Sequence, residues 1–283
     1  SSMQSSAQSS GAATRVWVAA NSRDQHPSGF EDRLHQYLQG FDAFLGDKRR
    51  RESFSLYAAG ILGESERKSV EPIAARASKT PQECEALHRQ LLRFIANSPW
   101  EDRPIRKYAM RYAIDEMTKH APIRNWIIDD TGFLKQGKLS PGVQRQYTGS
   151  AGKTTNCQIA VSLTVATDHA HVPIDLDLYL PESWAEDRKR CRAAKIPEDI
   201  VYRPKWEIAA DMIQSAVASN VPVGTVLADA GYGTTAEFRE RLEQLGLKYA
   251  VGIQSTVQVK RVIGHGSERR LGKRMSVETM CAN

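Results

Sequence analysis

The sequence predicts an α/β protein in which a mixed sheet flanked by helices follows a small all-helical N-terminal domain. Three observations predict it. Between residues 31 and 120, apolar side chains recur three and four positions apart, the spacing of one helix face. From Ile123 onward, short runs rich in Ile, Val and Leu read as strands, separated first by a polar connection of hairpin length and then by amphipathic helices. Two of those runs deliver aspartate at their C-terminal ends, Asp129-Asp130 after Trp126-Ile127-Ile128 and Asp229 after Val226-Leu227-Ala228. A carboxylate buried there must be paired or bound to a cation, because an isolated charge in a low-dielectric interior is too costly.

In chain order, residues 1–27 are Ser- and Ala-rich, lack the basic flank and apolar segment of a signal peptide, and are expected to be a disordered lead-in. The helical domain is expected over residues 28–121. Leu34, Tyr37, Leu38, Phe41, Phe44 and Leu45 mark its first helical stretch, and Phe54, Tyr57, Ala58 and Ile61 the second. Val70, Ile73, Ala74 and Ala77 give a third, with Pro72 tolerable in its first turn. Leu87, Leu91, Leu92 and Ile95 give a fourth, and Ile105, Tyr108, Tyr112 and Met117 a fifth. The polar surface is rich in Arg, notably Lys48-Arg49-Arg50-Arg51 and Arg67-Lys68. Such a face is ordinarily solvated surface, but beside a metal site it suggests DNA.

The sheet domain is expected over residues 122–256. Its first strand runs into the two acids and then a turn at Thr131-Gly132. Lys135, Lys138, Arg145 and Lys153 follow in what reads as a mobile basic loop able to track a phosphate backbone. Gly152-Lys153-Thr154 matches the end of a nucleotide phosphate loop, but the first glycine of that motif should fall at Tyr147, and a strand, not a helix, comes next. Strands over 159–166 and 172–180 are joined through Asp168-His169-Ala170-His171. The basic and aromatic stretch from Asp187 to Trp206 reads equally as a grip on a nucleic-acid strand or as solvated helix. Ile208, Met212, Ile213, Ala216 and Val217 then form a helix leading into the strand that ends at Asp229. Phe238, Leu242 and Leu245 form another, before a strand over 249–253. Three antiparallel strands followed by βαβ crossovers is the arrangement of the ribonuclease H-like fold. Residues 257–283 read as an irregular basic tail.

Either Asp cluster alone reads as a turn former or helix N-cap. Together, at one edge of a sheet, they make a site for a divalent cation. The 283 residues are 41% hydrophobic and 25% charged, ordinary for a soluble globular chain. Lys+Arg at 39 against Asp+Glu at 33 gives a net charge of +6, which favours a polyanionic partner. No apolar run approaches the roughly eighteen residues of a membrane span, so no membrane partner is expected. Cys84, Cys157, Cys191 and Cys281 are scattered without a C-x-x-C pair, which argues against a zinc ribbon or a disulfide framework and fits a reducing cytoplasm.

Several ordered motifs then carry a resemblance over residues 30–254. Ile127-Ile128-Asp129-Asp130-Thr131-Gly132-Phe133, Gln146-Tyr147-Thr148-Gly149, Gly152-Lys153 with Asn156-Cys157-Gln158, Leu178-Tyr179-Leu180-Pro181-Glu182-Ser183-Trp184, and Ala228-Asp229 with Gly231-Tyr232-Gly233 resemble bacterial insertion-sequence transposases of the DDE superfamily. The upstream Gly63-Glu64-Ser65-Glu66-Arg67 and Ser98-Pro99-Trp100 resemble that family's helical region. The resemblance implies a DNA transposase: a metal-dependent endonuclease and strand transferase in which carboxylates hold Mg²⁺ or Mn²⁺ for an in-line displacement at phosphorus. It carries the first acid to Asp130 and the second to Asp229, with Asp129 either assisting or capping the turn. The expected partner is double-stranded DNA, as the element's terminal inverted repeats and as target, contacted through Arg50, Arg51, Lys135, Lys138, Arg145 and Lys153. A homodimer stays open, and the expected location is the bacterial cytoplasm, at the nucleoid. The family's third acid, a Glu on a downstream helix, is not evident before Asn283, and Glu268 and Glu278 are the candidates to replace it. The resemblance therefore implies a chain lacking its C-terminal part that does not complete strand transfer alone. Two alternatives remain: a non-catalytic DNA-binding protein that competes with or regulates a full-length transposase, and an unrelated metal-dependent nuclease or phosphatase.

Overall fold

The computed structural model describes residues 29–282. The lead-in expected over residues 1–27 lies outside the described residues. Contacts divide the chain into two units that meet in sequence at Tyr108 and Ala109.

The first unit holds α1 (Phe30–Gln39), α2 (Asp42–Leu45), α3 (Lys48–Leu62), α4 (Val70–Ala77), α5 (Pro81–Asn97) and the start of α6 (Asp102–Thr118). Local chemistry sets the starts. Asp47 caps α3 by accepting from the Arg50 N–H at 3.0 Å. Thr80 caps α5 by accepting from Glu83 N–H, Pro81 supplies a helical φ at the first position, and Glu83 reaches back to the Lys79 N–H at 2.7 Å. Leu34, Leu38 and Ala59 form one buried cluster and Ile73, Ala74 and Leu91 another. The domain boundary read near residue 121 is displaced. Met110 and Ile114 of α6 are buried in the core of the second unit, which helical periodicity could not show.

The second unit is built on β1 (Asn125–Leu134), β2 (Gln144–Thr148), β3 (Lys153–Ala166), β4 (His171–Leu178), β5 (Thr225–Ala228) and β6 (Tyr249–Val251). The sheet runs β2-β3-β1-β5-β6, with β4 also on β3. β1 pairs antiparallel with β3, and β3 with β4, whereas β1-β5 and β5-β6 are parallel. The crossovers are made by α9 (Lys205–Ala218) into β5, and by α10 (Ala230–Gly233) with α11 (Ala236–Gln244) into β6. The spine β4-β3-β1-β5-β6 is the ribonuclease H-like order. Val161, Leu163 and Val165 of β3 join Trp126, Ile128, Val226, Ile213 and Phe238 in one core. The Trp126 indole donates to Pro222 O at 2.9 Å, so this wholly buried ring leaves no polar atom unpaired. Between β4 and α9 lie α7 (Glu182–Glu186) and α8 (Arg188–Ala193). There the buried Trp184 donates to Val143 O at 2.8 Å and stacks under the Arg190 guanidinium.

Three readings need correction. β1 does not turn after the acids. It continues to Leu134, paired residue by residue with β3, because Gly132 admits the Thr148 hydroxyl where any Cβ would collide with it. The basic loop contains a strand: Arg145 lies on β2, Lys153 opens β3 opposite Thr148, and the Asn156 side chain ties the β1–β2 connection by donating to Lys135 O and Gly137 O. The tail is not irregular either, because β7 (Gln258–Ile263) and β8 (Arg270–Ser276) form a hairpin followed by α12 (Val277–Cys281). No described helix is long and apolar enough to cross a membrane.

Candidate functional site

The parallel register of β1 and β5 brings the acids together. Ile128 lies opposite Ala228, the last residue of β5, so Asp229 follows at the level of Asp129, one residue from Asp130. Alternation along β1 puts Asp130 on the face of buried Trp126 and Ile128, and Asp129 on the other, exposed face. Asp129 Oδ1 accepts from the Asp130 N–H at 2.8 Å.

Asp130 is half-buried and both of its oxygens are engaged. Oδ2 pairs with the Lys205 ammonium and Oδ1 accepts from the Tyr232 hydroxyl. Lys205 is the first residue of α9, placed by Pro204 at the N-cap, and its Nζ lies 5.3 Å from the centroid of the Tyr179 ring, a cation–π distance. Tyr232 is positioned by the other acid: Asp229 caps α10, accepting from the Gly231 N–H at 2.8 Å, and the turn it starts buries Tyr232. The Tyr232 phenol is pushed far above its ordinary range, first by burial, then by the charge of Asp130 and its hydrogen bond, then by Asp229 and Asp129. Three carboxylates thus act on one phenol and keep it a hydrogen-bond donor.

The hard carboxylate oxygens suit one divalent cation in kind, and Asp130 and Asp229 are the residues that would hold it, in exchange for the Lys205 ammonium now on Asp130. They do not reach the number for two. Among the described residues no group of three or more His, Cys, Asp or Glu could hold a metal. Glu278 is exposed on α12, and the Glu268 side chain lies outside the described residues. Lys205 and Tyr232 are the residues that sequence reasoning missed. Lys205 stood in the basic-aromatic stretch and Tyr232 in the Gly231-Tyr232-Gly233 motif, but nothing local to either announces Asp130 as its partner.

The basic residues fall into two groups. Lys135, Lys138, Arg145 and Lys153 are exposed on the connection and strands around β2. In the helical unit, Arg50 binds Asp47 Oδ2 at 2.6 Å and donates to Pro99 O, and Arg51 donates to Gly46 O at 3.0 Å, so both help to hold the scaffold. Their neighbour Arg49 is exposed beside a cleft of about 410 Å³ that is also lined by Arg89 and Arg93.

Residues 36–275 match the family described as DDE superfamily endonuclease. The chain is 30% identical over 228 residues to a protein of Microchaete diplosiphon named "Probable transposase for insertion sequence element IS701", covering 80% of this chain and 55% of that protein. The chain therefore spans about half the length of this curated relative. The crystal structure of the Mos1 mariner paired end complex with Mn aligns with 83% of this chain and 70% of its own at 15% identity. Its TM-score of 0.20 is too low for the likeness to bear on fold or site.

Proposed function

Because this chain belongs to the DDE superfamily endonuclease family, we propose that it acts on double-stranded DNA at the ends of a mobile element, as a metal-dependent endonuclease and strand transferase. The observation that supports this best is the pairing of Asp130, in the middle of β1, with Asp229, at the end of the neighbouring parallel strand, around a phenol held neutral. Asp130 and Asp229 would hold Mg²⁺ or Mn²⁺, which when bound supplies charge stabilisation at the reacting phosphorus. Lys205 and Tyr232 each fix one oxygen of Asp130, so the carboxylate is oriented before any ligand arrives. Asp229 holds its own position through the Gly231 N–H. Lys135, Lys138, Arg145 and Lys153 would take phosphates near the sheet. In the helical unit, Arg50 and Arg51 would contribute charge while bracing the loops beside Arg49.

A second reading is favoured by one specific observation: among the described residues no group of three acids could hold a metal. In that reading the chain binds element ends without cutting and competes with a longer relative.

The test incubates the purified chain with Mn²⁺ and a labelled duplex carrying the element's inverted repeat. The first reading expects nicking at the repeat end that Asp130→Asn and Asp229→Asn both abolish while binding persists. Binding with no nicking selects the second reading. Failure to bind the duplex refutes both.

A further inference from the structure

The hairpin β7–β8 is a basic surface with no role in the site above. Lys260, Arg261, Arg269, Arg270, Lys273 and Arg274 fall within residues 258–276 against a single acid, Glu268. All six cations are exposed, and none has an ion-pair partner among the described residues. The register sharpens the charge. Lys260 lies directly opposite Arg274, an arrangement of like charges that destabilises an isolated pair of strands. Val259 lies opposite Met275, and both are half-buried, so alternation sends the Lys260–Arg274 pair to the other face. The register breaks between Lys260 and Val262, an irregularity that increases twist. Beyond it Arg270 stands opposite Ile263 at the far end of the ribbon.

These two strands stack positive charge on positive charge. An anionic occupant would relieve that repulsion. Three features favour duplex DNA over an acidic protein segment. A twisted two-stranded ribbon has the width that the roughly 12 Å major groove admits. Six residues of strand at about 3.4 Å each extend roughly 20 Å, on the order of six phosphate spacings of one DNA strand. The cations are distributed along that length and not gathered into one pocket.

We propose that the β7–β8 ribbon lies in the major groove of duplex DNA, with Lys260, Arg270 and Arg274 neutralising phosphates along it. This rests on the reading that the chain acts on DNA, and it adds a contact surface separate from the helical unit and the β2 region.

The experiment measures binding of the 283-residue chain to a labelled duplex by fluorescence anisotropy across a salt series. It compares wild type with Lys260→Gln/Arg270→Gln/Arg274→Gln and with the charge-keeping Lys260→Arg/Arg274→Lys. Each phosphate contact contributes about 0.9 to the slope of log affinity against log salt, so the triple variant should lose roughly 2 to 3 units of slope. The charge-keeping variant should retain the wild-type slope, and single-stranded DNA should show a smaller loss than duplex. An unchanged slope in the triple variant, with wild type binding steeply, overturns the ribbon contact and leaves the DNA reading standing. Equal loss in both variants overturns it too, because ribbon integrity and not charge would then be responsible. Equal loss on single strands removes the groove placement. Wild type that shows no salt-dependent duplex binding overturns the DNA reading itself.

Discussion

Replacing Lys205 by Met keeps most of the side-chain volume and removes only the ammonium, leaving Asp130 with Tyr232 as its one partner. Both side chains of the pair are 32% exposed, between the surface and buried limits. Exposed pairs are worth roughly 0.2–1 kcal/mol, and stripping one partner from a buried pair costs about 3–5 kcal/mol, so about 2 kcal/mol is expected for Lys205→Met. For a unit of this size that corresponds to a fall in melting temperature of roughly 4–8 °C. Asp130→Asn removes the charge that needs neutralising, so Lys205→Met should cost much less in that background, with a coupling of about 1–2 kcal/mol in a double-mutant cycle. The two-carboxylate site adds a second limb. With the ammonium gone, a divalent cation no longer competes with Lys205 for Asp130, so Mn²⁺ at a hundred times its Kd for Lys205→Met should stabilise that variant by about 2.7 kcal/mol, and wild type by less at the same concentration. Urea unfolding of the four proteins of the cycle, with and without Mn²⁺, measures both limbs. Additive single and double changes would refute the ion pair as an organising contact. Equal Mn²⁺ stabilisation of wild type and Lys205→Met would refute the idea that ammonium and metal share a site.

Two further predictions concern the frame around the acids. Gly233→Ala would drive a Cβ into the Gly252 carbonyl oxygen and the Val251 side chain, where β6 meets α10, and one of those neighbours is backbone that cannot swing away. A loss of at least about 2 kcal/mol is expected, read by thermal melting, and a change below about 0.5 kcal/mol would contradict the packing. Tyr179, beneath Lys205, has its phenol pushed from 10.0 to about 12, first by burial and then by Tyr202. A raised folded-state value favours the neutral phenol, so this contribution is fully present below pH 10 and is lost as pH rises through about 12. Melting temperature should therefore fall more steeply between those limits in wild type than in Tyr179→Phe, and parallel curves would contradict it.

What could be read from the sequence followed which faces are buried. β1, β5 and β6 were legible because core strands in parallel pairing present near-continuous apolar runs, and α3 to α6 because their apolar faces repeat at helical spacing. β2 was not, since Gln144-Arg145-Gln146-Tyr147-Thr148 buries only Thr148 and its strand character comes from pairing with β3. The β7–β8 hairpin was hidden for the same reason, its outward residues being charged. The carboxylates stood out because acid at the end of an apolar run is conspicuous. Their partners did not, because Lys205 and Tyr232 reach Asp130 across 75 and 102 residues, a separation that only the sheet order closes.

The Arg49-Arg50-Arg51 run shows the same limit within three residues. In the sequence it is one feature, a block of charge with a single implied use. On a helix, successive side chains point about 100° apart, so one run must serve three directions. Arg50 turns back to Asp47, the residue that caps the helix, and across to Pro99 O; Arg51 turns to Gly46 O. Arg49 and Arg50 both line the cleft with Arg89 and Arg93, but Arg50 is already engaged with Asp47 and Pro99 O. Charge for an anion there would thus be drawn from two helices, α3 and α5, two residues from the run and two from a segment whose basic residues are scattered among acids. A phosphate recognises the convergence of side chains in space, and a run of like residues in sequence marks only where such a convergence can start.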